Sequence, residues 1–219
     1  MAFYGQSRYY IIAVRAMKEA IEAVVFDFGN VLVRVDRSLI CGRMARHCAL
    51  SPQEVGSRLF DSDLEYDSET GKYDSREHFR RTKERIGAEN GWTYEQFREE
   101  FKDAFELNPE GMAALEAASR RKRTFVLSNT SYLHALWLFE QEELATIPEY
   151  HVFSFKIGAM KPDARIWEHM LRVSSLEARQ CLYIDDVEEY CLAAGRLGFN
   201  SIHYQPGKTA LLEELENWL

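Results

Sequence analysis

Val24-Val25-Phe26-Asp27-Phe28-Gly29-Asn30-Val31-Leu32 decides how the rest of the chain is read. An apolar run of this length predicts a strand buried on both faces, as in a parallel sheet covered by helices. The run delivers one carboxylate, Asp27, into a turn that contains Gly29. Open α/β sheets gather their ligands at the carboxyl ends of their strands, so an acid placed there serves as nucleophile or metal ligand. Alone, Asp-Phe-Gly is a weak signal, because an Asp also closes turns. The kinase use of these letters fails, since no Gly-rich phosphate loop and no His-Arg-Asp segment accompany them.

Outward from this stretch, helical periodicity takes over. Arg34, Asp36 and Arg37 end the first strand, and from residue 38 to about 107 the pattern is helical with no strand-like alternation. Ser51-Pro52-Gln53-Glu54 has the spacing of a capping box, and Asp74 to Glu77 and Thr93 to Gln96 repeat it. This is a helical insertion between two strands. A helix from Asn108-Pro109 to about Arg121 leads into a second buried strand, Thr124 to Leu127, which ends at Ser128-Asn129-Thr130. Then come a helix over 132–142, a strand over 151–155, a loop to Lys161-Pro162 and a helix over 163–173. The strand Cys181 to Ile184 ends in Asp185-Asp186; a helix over 188–197 closes on Gly198, and a strand over 201–204 and a final helix follow. Strand alternating with helix predicts right-handed βαβ units, a Rossmann-like, doubly wound α/β core.

Composition limits what the chain does. Its 219 residues suffice for one full core with an insertion, and 46% hydrophobic with 28% charged residues exclude a disordered chain. A formal charge of −8 argues against nucleic acid or anionic membrane as partner and for a small-molecule ligand. Cys41, Cys48, Cys181 and Cys191 lack zinc-like spacing and are read as reduced structural thiols of a cytoplasmic protein. Residues 1–16 carry Arg8 and Arg15 through a short apolar run, neither a signal peptide nor the ~20 residues of a membrane span; they are read as an extension outside the fold.

The ends of four strands, or the loops after them, offer Asp27, Ser128-Asn129, Lys161 and Asp185-Asp186. Like-charged carboxylates brought together require a proton or a cation, and the hard, oxygen-binding cation that suits them is Mg²⁺. Lys161 adds fixed positive charge for a phosphoryl group. A carboxylate nucleophile, Mg²⁺, a lysine and a hydroxyl are the parts of phosphoryl transfer, where positioning and charge neutralisation do most of the work. Ser128 and Asn129 are read as turn formers that also bind substrate. The six histidines have no paired spacing and receive no metal role; Trp92, Trp137, Trp167 and Trp218 are read as packing residues. The acidic segment from Asp61 to Glu77 is read as a solvated face, the alternative being a loop that faces the site and accepts hydrogen bonds from a sugar-like substrate.

In this order the motifs resemble those of the haloacid dehalogenase-like (HAD) hydrolase superfamily, over residues 23 to about 205. Val24 to Leu32 is similar to its first motif, Val126-Leu127-Ser128-Asn129-Thr130 to its second, Lys161-Pro162 to its third and Tyr183-Ile184-Asp185-Asp186 to its fourth. The insertion resembles the small helical cap of the capped subfamily I, and Ser128 to His134 resembles its glucose-1-phosphatase-like members. The resemblance implies a core of residues 17–34 and 108–219 and a cap of 35–107. It implies a phosphatase acting on a small phosphorylated metabolite, possibly a sugar phosphate, through an aspartyl phosphate on Asp27. Ser128 would hold phosphoryl oxygens and Lys161 would neutralise charge. Asp27, the Gly29 carbonyl and Asp186 would bind Mg²⁺ directly, Asp185 mainly through water. A monomer or a homodimer is compatible with it.

Two positions depart from the family pattern. Where most family phosphatases carry a second Asp as general acid and base, this chain has Gly29, and a lost acid/base group typically costs ~10²–10⁴ in rate. Asp36 or Tyr73 is a candidate replacement. Tyr190 stands where Asn or Asp often supports the metal. These departures motivate an alternative, a catalytically impaired protein that binds a phosphorylated ligand or a partner. A dehalogenase also lacks the second acid but needs no metal, which Asp185-Asp186 argue against. A receiver domain carries its acidic pair first in the chain, the reverse of the order here.

Overall fold

The computed structural model describes residues 21–219 apart from 61 and 90, so the extension read over 1–16 lies outside the described residues. Five strands form one parallel sheet: β1 (Ala23–Phe26), β4 (Arg123–Ser128), β5 (Tyr150–Phe153), β6 (Cys181–Asp185) and β7 (Asn200–His203). Their order is β5-β4-β1-β6-β7, with Val25 of β1 level with Phe125 on one side and Tyr183 on the other. Every residue of β1 is buried. Its side chains alternate between two cores, Val24 and Phe26 in one, Ala23 and Val25 in the other. That alternation is what a sheet covered on both faces requires, and it makes the fold a doubly wound α/β fold.

The first strand is shorter than the apolar run suggested. It stops at Phe26, and the chain turns at Asn30 with φ of 55°. Val33–Val35 then form a separate strand, β2, antiparallel to β3 (Phe105–Leu107). The reading of 38–107 as free of strand is corrected at these last residues: three-residue strands are too short to display a period, and their partner lies about seventy residues away. Between β2 and β3 lie α1 (Arg37–Met44), α2 (Pro52–Leu59), α3 (Asp63–Glu69), α4 (Ser75–Ile86) and α5 (Tyr94–Lys102). Ser51 with Glu54 and Thr93 with Gln96 close reciprocal capping boxes, whereas Asp74 caps α4 alone.

After β3 come α6 (Pro109–Ser119), α7 (Tyr132–Glu140), α8 (Glu142–Thr146), α9 (Ser154–Ile157), α10 (Ala164–Ser174), α11 (Glu188–Arg196) and α12 (Leu211–Glu216). The turn after β1 is held from behind by α6. Asn108 Nδ2 donates to the Val31 carbonyl at 2.7 Å, and a Cβ added at Gly111 would stand 1.9 Å from the same oxygen. Only glycine lets the helix backbone come that close. All four cysteine sulfurs are free, and Trp92, Trp137 and Trp167 are buried. No helix among the described residues is long and apolar enough to cross a membrane.

Candidate active site

The site forms where the two most central strands end. Asp27 follows β1 directly, its amide still in the sheet ladder to the Ile184 carbonyl at 2.8 Å, and Asp185 closes β6 beside it. Lys161 reaches both from the loop before α10: its Nζ donates to Asp27 Oδ1 at 2.5 Å and to Asp185 Oδ2 at 2.7 Å. Asp27, Asp185 and Asp186 each place a carboxylate oxygen within 4.8 Å of the others. The sequence thus brings Asp27, Lys161, Asp185 and Asp186 together from positions up to 159 residues apart; that separation is the difference 186 − 27.

Each of these groups has support. The Lys161 loop is clamped by Asn129, whose Oδ1 accepts from the Lys161 amide at 2.7 Å and whose Nδ2 donates to the Lys161 carbonyl at 3.0 Å. The Lys161 ammonium lies between two aromatic faces, 5.8 Å from the Tyr183 ring centre and 5.0 Å from that of Tyr190. Asp185 is fully engaged: Oδ2 accepts from Lys161 and the Tyr183 hydroxyl, and Oδ1 accepts from the Val187 amide at 2.8 Å. Asp186 is less enclosed, and its Oδ2 accepts from Asn30 Nδ2 at 3.1 Å.

The electrostatics are those of three clustered carboxyl groups around the Lys161 ammonium. Burial pushes Asp27 up to about 7, with Lys161 pulling against it and Asp185 and Asp186 adding to it. Burial also raises Asp186. Burial opposes the charge on Lys161, but Asp27 and Asp185 outweigh it and hold the ammonium protonated. Clustered oxygen donors with surplus negative charge fit a hard divalent cation, which would relieve the repulsion that burial amplifies.

A cleft of about 200 Å³ opens beside this cluster, lined by Gly29, Asn30, Asn129 and Thr130 from the sheet side and by Arg37, Phe60, Glu65 and Glu69 from the insertion. His134, the histidine nearest a motif, also lines it; burial pushes it down to about 3 and keeps it neutral. The acidic segment is therefore not simply a solvated face. Asp63, Asp67 and Glu77 do pair with Arg85, Lys72 and Arg80 on the outside, but Glu65 and Glu69 turn inward. Asp61 lies outside the described residues.

Other expectations fall differently. Ser128 is buried at the end of β4, and its hydroxyl donates to the Asn129 carbonyl at 3.1 Å. Asp36 caps α1 through the Leu39 amide at 2.9 Å, and the Tyr73 hydroxyl, pushed up to about 12 by burial, donates to the Leu64 carbonyl. Neither is among the residues that line the cleft at Gly29. Sequence reasoning missed the supporting roles of Asn30, Asn129 and Tyr183. Asn30 and Asn129 left a trace as Asn residues in turns, Asn30 at a positive φ.

This arrangement defines a hydrolase class. The family profile described as haloacid dehalogenase-like hydrolase matches residues 21–198, and the chain belongs to that family. Solved structures share its fold. The HAD family enzyme bt-2542 from Bacteroides thetaiotaomicron, in complex with magnesium and inorganic phosphate, superposes with a TM-score of 0.76 at 18% identity, over 86% of this chain and 96% of its own. A predicted HAD-like family hydrolase from Porphyromonas gingivalis gives 0.75 at 24%, over 87% and 94%. An L-2-haloacid dehalogenase from Xanthobacter autotrophicus, with chloropropionic acid covalently bound, gives 0.60 at 14%, over 83% and 76%. Phosphate ligand and haloacid adduct share one fold, so the choice between reactions rests on the site.

Proposed function

We propose that this chain is a Mg²⁺-dependent phosphatase that hydrolyses a small phosphomonoester through an aspartyl phosphate on Asp27. One observation carries the reading: Lys161 bridges Asp27 and Asp185 while Asp186 completes a three-carboxylate cluster at the strand ends. A dehalogenase needs a nucleophilic Asp and a cation but no surplus of acids. A phosphatase needs a second cation against the phosphoryl charge, and this cluster suits one.

In this reading Asp27 attacks phosphorus in line, and Lys161 neutralises charge on the transferring group. Asp27, the Gly29 carbonyl and Asp186 would hold Mg²⁺, which would supply charge neutralisation for phosphoryl transfer. Asp185 would act on it mainly through water, since both of its oxygens already accept from protein donors. Ser128 holds phosphoryl oxygens once its hydroxyl turns from the Asn129 carbonyl, a rotation about one bond. Asn129 acts by fixing Lys161. The insertion is the cap, excluding water and choosing the substrate. Its Glu65 and Glu69 offer carboxyl oxygens that suit hydroxyl groups, which supports a sugar phosphate. The free thiols support a reducing compartment such as the cytoplasm.

Gly29 favours a second reading, a binder of phosphorylated ligands with little turnover. Hydrolysis of p-nitrophenyl phosphate by wild type and Asp27→Asn, with Mg²⁺ or with chelator, separates the two. The phosphatase turns it over only with Mg²⁺ and only with Asp27. Inactivity of a folded wild type equal to that of the variant leaves the binder.

A further inference from the structure

A phosphatase with Gly29 lacks a proton donor beside its nucleophile, and the cleft contains what is needed to find another. A Cβ built at Gly29 meets nothing within 4 Å, so the place where an acid would stand is open space continuous with the cleft. Among the described residues, the ionisable side chains lining that cleft are Arg37, Glu65, Glu69 and His134. Arg37 is a permanent cation, and it pairs with Glu65 at 3.0 Å. His134 is packed against Phe101 and Phe105, with ring centres at 5.7 and 5.3 Å, and stays neutral. Glu69 remains.

Glu69 ends α3, and the turn that follows it is seated on the sheet domain. Gly71, with φ of 74°, lies so close to α9 that an added Cβ would stand 2.0 Å from the Phe155 carbonyl oxygen. The backbone beside Glu69 is thereby fixed to the same body that carries Asp27 and Lys161. The carboxyl is near enough to both to respond to their charges.

We propose that Glu69 is the general acid and base of this site, doing from the cap what no side chain at Gly29 does. The inference rests on the phosphatase reading above. In the first step the Asp27 carboxylate oxygen bonds to phosphorus, the bond from phosphorus to the alcohol oxygen breaks, and that oxygen leaves with the electron pair and takes the Glu69 proton. In the second, water oxygen bonds to phosphorus, its proton goes to the Glu69 carboxylate, and the bond from Asp27 to phosphorus breaks. Alcohol and inorganic phosphate depart, and both carboxyl groups return to their starting states. Burial, with Glu65 adding to it, pushes Glu69 up to about 8 against Arg37 and Lys161, so it holds a proton at neutral pH and gives it up within reach of neutrality. Among the described residues, the charged or titratable groups that face it are Glu65, Arg37, Lys161, Asp27 and Tyr190, with His134 in the same cleft.

The test uses aryl phosphates of nearly one shape whose leaving groups differ in acidity: p-nitrophenyl, phenyl and p-methoxyphenyl phosphate. With Glu69→Gln, kcat/KM should fall about 10²-fold or more for the phenyl and methoxyphenyl esters. For the nitrophenyl ester, whose phenolate needs little protonation, it should fall less than about tenfold. Wild type should lose kcat/KM for phenyl phosphate above a pH near 8, and the variant should not show that limb. Adding Gly29→Asp to Glu69→Gln, with room for the side chain, should recover phenyl phosphate turnover. An equal loss on all three esters, or an unchanged alkaline limb in Glu69→Gln, overturns the proposal while Mg²⁺-dependent, Asp27-dependent turnover keeps the phosphatase reading. Absence of any wild-type turnover overturns both.

Discussion

Lys161 Nζ stands 2.5 Å from Asp27 Oδ1, with the two side chains only 1% and 9% exposed. An ion pair so enclosed is a poor source of stability but an expensive thing to break, because removing one partner strands the other. Lys161→Met leaves Asp27 and Asp185 buried together without their shared cation. Chemical denaturation should show a loss of about 3–5 kcal/mol along with loss of turnover. A variant as stable as wild type would mean that the pair is not closed to solvent in solution.

Asn30 supports the exposed end of the acidic cluster. Its φ of 55° suits glycine, so Asn30→Gly keeps the turn and removes only the amide that donates to Asp186. Calorimetric titration should show Mg²⁺ affinity weakened about 10–100-fold, as is usual when a ligand loses its supporting hydrogen bond, with stability within about 1 kcal/mol. Unchanged affinity would remove Asp186 from the metal site.

Burial pushes His78 down to about 4 and His134 down to about 3 from an ordinary 6.5. Both are neutral in the fold, whereas the unfolded chain protonates them below 6.5. Their contribution is therefore complete above pH 6.5 and is lost as pH falls towards 4, at about 1.4 kcal/mol per pH unit for each. Urea unfolding at pH 7.5, 6 and 5 should show this slope, and His78→Asn should remove the part due to His78. A slope identical in the variant would place His78 in contact with water.

The sheet was legible because its strands are short apolar runs bounded by polar turns, and burial on both faces leaves that mark in any sequence. Asp27 and Asp185-Asp186 were legible because they end such runs. The pairing of β2 with β3 was not, since three residues carry no period and the partner is remote. Nor was the inward turn of Glu65 and Glu69. Their neighbours Asp63 and Asp67 bear the same charge and pair with Arg85 and Lys72 instead, and only the fold decides which carboxyl enters the cleft. Asn129 was legible as a turn residue, yet its grip on both sides of the Lys161 peptide depends on a loop 32 residues away.

The most direct measurement is to trap the covalent state. Wild type turning over p-nitrophenyl phosphate with Mg²⁺ is quenched and treated with borohydride, which reduces an acyl phosphate to the alcohol, and the peptides are weighed by mass spectrometry. The account predicts that Asp27 is converted to homoserine, only when substrate is present, and that Asp185 and Asp186 are untouched. Sustained turnover with Asp27 unmodified, or with the modification at another carboxylate, would contradict it.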